Sequence, residues 1–290
     1  MKKSLKSFAL GAVVTALAGL LSVPANAVTL QQIKDRGYIQ VAVANEIPYG
    51  YVNASGEAIG IAPSVAKKVL KKMGITDIQW VVTPFGSLIP GLKAGRFDMV
   101  AASQAILPQR CQQVLYSKPN SSYGEGLLVK SGNPDGIHGY MDFKNNPKLK
   151  MAIMSGADQL DFAHDMGIPD SQLVTITSNS DAPSAVSAGR ADAYAATGLT
   201  VERLAKKDKR VAAAEPFQDP VVKGKAVRSW GGFTFAKDSK AFRDEYTREL
   251  AAYQKSADYR KTLKSFGLSD HDIDQALAKT TEELCGGMGD

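Results

Sequence analysis

The sequence predicts an α/β protein made of two lobes, on three observations. Short apolar runs of β type alternate with stretches of helical periodicity, which implies a mainly parallel sheet covered by helices. The alternation occurs in the first half and again in the second. Once an N-terminal export segment is set aside, about 263 residues remain, too many for one comfortable core and suited to two lobes of roughly 100 to 150 residues.

In the first half, YIQVAVA from Tyr38 reads as a strand, PSVAKKVLKKMG from Pro63 as a helix and IQWVVT from Ile78 as a strand. SLIPGLKAG follows, with Leu88, Ile89 and Leu92 at helical spacing and Gly95 as a stop. FDMVAA from Phe97 is a buried strand. The second half gives LKMAIMSG, a helix from about Asp158 to Met166, LVTITS, a helix near Ala182 to Ala188, and ADAYAAT. Lys67, Lys68, Lys71 and Lys72 fall on the polar face of one helix and read as solvated surface.

The chain opens with Lys2, Lys3 and Lys6, an apolar run from Phe8 to about Leu21, and Ala25-Asn26-Ala27, the pattern of a secretory signal cleaved after Ala27. That run is too short for a membrane span, and the expected destination is the periplasm. No cysteine stands near the cleavage site to take a lipid. Cys111 and Cys285 are the only cysteines, and an oxidising compartment favours one disulfide tying the tail to the first lobe; two buried free thiols are the alternative. Three separated histidines and two cysteines make no metal site, and no cofactor motif is present. The formal charge of +6 falls to +3 without residues 1–27, too little to imply a nucleic-acid partner.

The stretch Phe85 to Cys111 concentrates the functional signal. Its strand leads into Ser103-Gln104-Ala105-Ile106-Leu107-Pro108-Gln109-Arg110, small side chains followed by a guanidinium able to grip a carboxylate with two prongs. A polar loop after a strand end is where ligands bind in such sheets. Taken alone, Arg110 also reads as a surface cation.

Gly91-Leu92 to Asp98 matches a G-L-x-x-G-x-x-D unit, and with the loop ending in Arg110 it resembles the amino-acid-type (family 3) periplasmic solute-binding proteins of ABC importers. The resemblance runs from Tyr38 to the C-terminal helices. It implies a type II periplasmic binding protein fold, with two α/β lobes joined by two hinge crossings near Gly126 to Val129 and Gly231 to Phe235. Lobe 1 is then residues 28–127 and 232–290, and lobe 2 is the inserted 128–231. The implied partners are a small solute and a membrane permease, and the expected state is a monomer.

The same resemblance assigns site residues. Tyr49 and Phe85 stand where the family presents aromatic rings, and two such rings can hold a cation at about 0.5 to 2 kcal/mol each. Arg110 takes a carboxylate, assisted by backbone donors from Ser103, Gln104 and Ala105. Ser155 and Ala157 lie on a strand-to-helix turn whose N–H groups favour an anion, with Asp158 read as that helix's cap. Thr197 occupies the position where relatives carry an acid for an α-ammonium, while Ala105 and Leu107 replace usual hydroxyl residues. Glu46 can supply the missing charge. This zwitterion site most resembles the ectoine/hydroxyectoine-binding proteins, through the ANE-x-P opening, the Arg110-Cys111 pair and a C-terminal cysteine. Their third clamp aromatic is Ala105 here, so Trp230 or Tyr194 replaces it or the ligand differs. A polar amino acid or a betaine-like solute is the alternative ligand. A cyclohexadienyl dehydratase-like enzyme is the competing class, with Glu46 as its one nominated acid or base.

Overall fold

A computed structural model describes residues 28–286. The export segment with its cleavage after Ala27 lies outside those residues, which contain no helix long and apolar enough to cross a membrane.

Two sheets organise the chain. In the first, Ile39–Val43 runs parallel to Ile78–Val82 on one side and to Met99–Ala105 on the other. Ser229–Phe235 returns antiparallel beside Met99–Ala105 and carries Leu115–Tyr116 and Ser121–Tyr123. The second sheet places Met151–Met154 parallel to Leu173–Ile176 and Ala193–Thr197, then adds Glu125–Lys130 and Val211–Ala213 antiparallel. The chain crosses from the first sheet to the second at Gly124 and is back in the first by Ser229. Residues 126–129 belong wholly to the second sheet and 231–235 to the first.

The helices follow the sequence periodicity. Ile61–Lys72 buries Ile61, Val65, Ala66, Val69 and Leu70 and leaves Lys68, Lys71 and Lys72 exposed, as a one-sided apolar stripe requires. Its polar face also meets the C-terminal helices, since Lys68 pairs with Asp258 at 2.9 Å. Those helices, Lys240–Gln254, Ala257–Ser265 and Asp270–Ala278, pack on the first lobe, and Tyr246 meets Phe233 edge-on at 4.9 Å between ring centres.

The sequence reading is corrected at one strand. Met99–Ala105 does not stop at Ala102 but runs on through Ser103 and Gln104, which puts these residues in the sheet rather than in an open loop. Ala105 pairs with Gly231 and Gln104 with Gly232, and the register shifts between Gly232 and Thr234. Ser103 sits at this irregularity with φ of 48°. A side chain at Gly231 would stand 2.4 Å from the Ser103 carbonyl, so only glycine lets the strands approach there.

Cys111 and Cys285 form the expected disulfide, with Cα atoms 5.8 Å apart across 174 positions of sequence. It fastens the C-terminal turn Thr281–Leu284 to the short helix Pro108–Cys111 that carries Arg110. Replacing both cysteines by alanine frees a long loop in the unfolded chain. Stability in urea denaturation should fall by about 2 to 4 kcal/mol.

Candidate functional site

The site forms where strand ends of the two sheets face each other. After Ile39–Val43 the chain makes a tight loop, closed by bonds between the backbones of Glu46 and Gly50 at 2.8 and 2.9 Å. The carbonyls of Pro48 and Tyr49 accept from Ile61 and Ala62, which docks the loop on a helix start. Phe85 opens the turn Phe85–Ser87 beyond Ile78–Val82, and Tyr123 ends the last strand before the first crossing.

Glu46, Tyr49, Phe85, Ser103 and Tyr123 of the first lobe enclose a small cavity of about 20 Å³ with Met154, Ala157, Asp158, Gln159 and Thr197 of the second. Six of the residues expected from the sequence are therefore gathered: Glu46, Tyr49, Phe85, Ser103, Ala157 and Thr197. Arg110 and Gln104 line an adjoining cleft that shares Phe85 and Ala157 with the cavity. Arg110 is buried, its Cζ 5.8 Å from the Phe85 ring centre. Two of its five N–H donors go to the carbonyls of Ala105, at 3.0 Å, and Gly156, at 2.9 Å, one on each lobe. Ala105 thus contributes its carbonyl, and Ser155 faces Gly86 instead of the cavity.

That last contact fixes how closely the lobes meet. A side chain at Gly156, where φ is 79°, would stand 2.7 Å from the Gly86 Cα, and one at Gly86 would stand 3.0 Å from the Ser155 hydroxyl. Two glycines from opposite lobes let the backbones touch beside Phe85.

Two expectations change. Asp158 begins the helix Gln159–Asp165 but makes no side-chain cap; its carboxylate turns inward and accepts a 2.7 Å bond from Ser229. Neither Trp230 nor Tyr194 supplies a third ring. The Trp230 indole donates to the Gln275 carbonyl at 2.9 Å, and the Tyr194 hydroxyl donates to Asn179. Tyr123 lines the cavity in their stead, packed edge-on against Tyr49 at 5.1 Å with its hydroxyl donating to the Ser103 carbonyl. Tyr123, Asp158 and Gln159 were missed because they sit in segments whose local pattern reads as strand end or helix cap.

Electrostatically the cavity is acid-lined. Burial pushes the Glu46 carboxyl up to about 7; the Asp158 charge adds to the rise, while the nearby Asn179 amide, the Thr200 hydroxyl and the Arg110 charge oppose it. The Thr200 hydroxyl of the second lobe shares its one proton between Glu46 at 3.3 Å and the Ile47 carbonyl at 3.1 Å. Glu125, at the start of its strand, lies behind the cavity with one oxygen accepting from Gln159 at 2.7 Å, and burial raises it well above the usual carboxylate range. Thr197 caps the helix Gly198–Lys207 through a 3.3 Å bond from the Thr200 N–H.

Residues 39–269 match the model of the bacterial extracellular solute-binding proteins, family 3. The chain belongs to that family. A probable amino-acid ABC transporter periplasmic-binding protein of Sinorhizobium fredii, y4tE, is 50% identical over 279 residues, covering 95% of this chain and 92% of that protein. ABC transporter arginine-binding protein 1 of Escherichia coli is 26% identical over 74% of this chain and 84% of its own length. Among solved structures, EhuB in complex with hydroxyectoine superposes with a TM-score of 0.80 at 32% identity, covering 88% of this chain and 97% of that one. An ancestral amino acid-binding protein described as a precursor of cyclohexadienyl dehydratase gives 0.71 at 26%, covering 82% and 98%. The fold is that of type II periplasmic binding proteins, and the relatives named as transporter components place the chain among the binding proteins of amino-acid ABC importers.

The raised Glu46 value has a stability consequence. The folded value lies above the ordinary 4.5, so this group favours the folded chain fully below pH 4.5 and loses that contribution as pH rises through about 7. Melting curves taken between those values should show Glu46→Gln flattening the decline with pH that the native chain displays.

Proposed function

We propose that this chain is a periplasmic binding protein that captures a small zwitterion between its lobes and delivers it to an ABC permease, with ectoine or hydroxyectoine the favoured solute. The observation that carries this reading is the cavity that sets the buried Glu46 carboxyl among Tyr49, Phe85 and Tyr123, with Arg110 in the adjoining cleft. A carboxylate and aromatic faces suit a delocalised cation, and a guanidinium suits the carboxylate at the ligand's other end. The likeness to a hydroxyectoine-bound structure supports the same ligand class.

In this reading the mature chain starts at Val28 and works as a monomer. The lobes comprise about residues 28–124 with 229–290, and 125–228, a few residues off the bounds expected from the sequence, and they hinge about the crossings at Gly124 and ahead of Ser229. Closure brings Thr200 to Glu46 and the Gly156 carbonyl to Arg110, contacts that exist only when the lobes meet. Ser103 and Gln104 shape the floor beside Arg110, whose guanidinium the Ala105 carbonyl holds, Ala157 closes the opposite wall, and Ser155 meets Gly86 across the seam. Thr197 holds the helix start that presents Thr200.

The chain performs no chemistry on its solute. Glu46 is the one group that favours an enzymatic reading, since a carboxyl near pH 7 could move a proton. Recovery of the bound solute unchanged after prolonged incubation separates the two, and a converted product would favour the enzyme.

A thermal-shift panel of ectoine, hydroxyectoine, betaines and common amino acids identifies the solute, because a ligand bound only by the folded state raises the melting temperature. A shift with ectoines alone is expected; shifts confined to amino acids or betaines would keep the importer role and discard ectoine. Arg110→Ala should weaken binding of the carboxylate ligand at least a hundredfold in calorimetry. Tyr49→Ala or Phe85→Ala should each cost a cationic ligand more than a neutral one, and equal losses would reduce the rings to packing.

A further inference from the structure

The inner cavity is unusual in where its hydrogen-bonding capacity lies. Asp158 is 5% exposed and lines the cavity from the second lobe, opposite Glu46 on the first. Although it stands at the start of a helix, its side chain does not cap it. One oxygen accepts from Ser229, which leaves most of the carboxylate's roughly four acceptor positions uncommitted. Gln159 beside it donates its amide nitrogen to Glu125 at 2.7 Å. A second observation points to a ligand: the Tyr49 hydroxyl, 2% exposed and part of the cavity wall, makes no hydrogen bond of normal geometry although Thr197 stands beside it. The guanidinium lies in the adjoining cleft, not within this space.

We infer that Asp158 is a specificity-determining residue which, with Glu46, grips the ligand's cationic group from the opposite lobe, so that the site takes a cation bearing N–H donors and rejects a quaternary ammonium of similar size. This rests on the zwitterion reading and narrows it. An amidinium or ammonium can donate to carboxylates on both lobes at once, which fixes its orientation and couples its binding to closure. A trimethylammonium group satisfies the aromatic walls through its charge but offers no donor, so the buried acceptors stay unpaired. A site built to hydrogen-bond its substrate discriminates against the analogue that lacks the donor. Burial is the main cause of the raised Glu46 carboxyl, and the Asp158 charge adds to it, so the two acids act on one another in the same space.

Calorimetric titration of the mature chain with ectoine, arginine and proline, and with glycine betaine and proline betaine, tests this. The tightest N–H-bearing ligand should bind at least about tenfold more tightly than the tightest betaine. Asp158→Asn should bring that ratio to within about threefold, through loss on the N–H side only. A betaine that binds the native chain as tightly as any N–H ligand overturns the inference, and that comparison needs no variant to fold. An unchanged ratio in Asp158→Asn overturns it as well. Arg110→Ala reads the carboxylate grip separately: affinity retained there would sink the zwitterion reading while leaving the donor preference measurable.

Discussion

The structure turns on a carboxylate buried where two lobes meet. Removing Glu46 from water is costly unless it is neutralised or paired, and its surroundings do both in part. Its carboxyl is raised to about 7, and Thr200 reaches it from across the seam. Asp158 then adds a second acid to the same cavity. In the proposed function acids held in this way form a receptor for positive charge, since a bound cation would supply the pairing that burial withholds.

The fold supplies the means to build that receptor from separate parts. Parallel strands end together at one edge of each sheet, so the loops after Ile39–Val43 and Ile78–Val82 in the first lobe confront the turns after Met151–Met154 and Ala193–Thr197 in the second. Contact between the lobes is backbone-close at Gly86 and Gly156, and Arg110 spans the same seam through the carbonyls of Ala105 and Gly156. Arg110 is steadied in turn by the disulfide at the next residue, which links its short helix to the C-terminal tail. Charge, closure and tail attachment therefore meet within a few residues.

Much of this was legible in the sequence, for physical reasons that also mark where it stopped. The apolar runs of the two sheets and the stripe of Ile61–Lys72 announce their periods directly, and Glu46, Tyr49 and Phe85 follow recognisable strands. The continuation of Met99–Ala105 through Ser103 was hidden because its partner, Ser229–Phe235, comes more than a hundred residues later, and small polar residues signal a loop when read locally. Asp158 was hidden for a related reason. An aspartate before a helix normally caps it, and only the approach of Ser229 from the other sheet draws the carboxylate inward. Tyr123 gave no local sign, because its ring is placed by its packing on Tyr49 and its bond to Ser103.

The most direct test of this account is a carbon-detected NMR titration of the Glu46 side chain, first in the free chain and then saturated with the solute found by thermal shift. The account predicts a midpoint near 7 where the closed lobes bury the carboxylate without a cation, and a fall of more than about one unit when a cation pairs with it. A midpoint near the ordinary 4.5 that does not move on binding would contradict it, because Glu46 would then be neither strained by burial nor in contact with the ligand's charge.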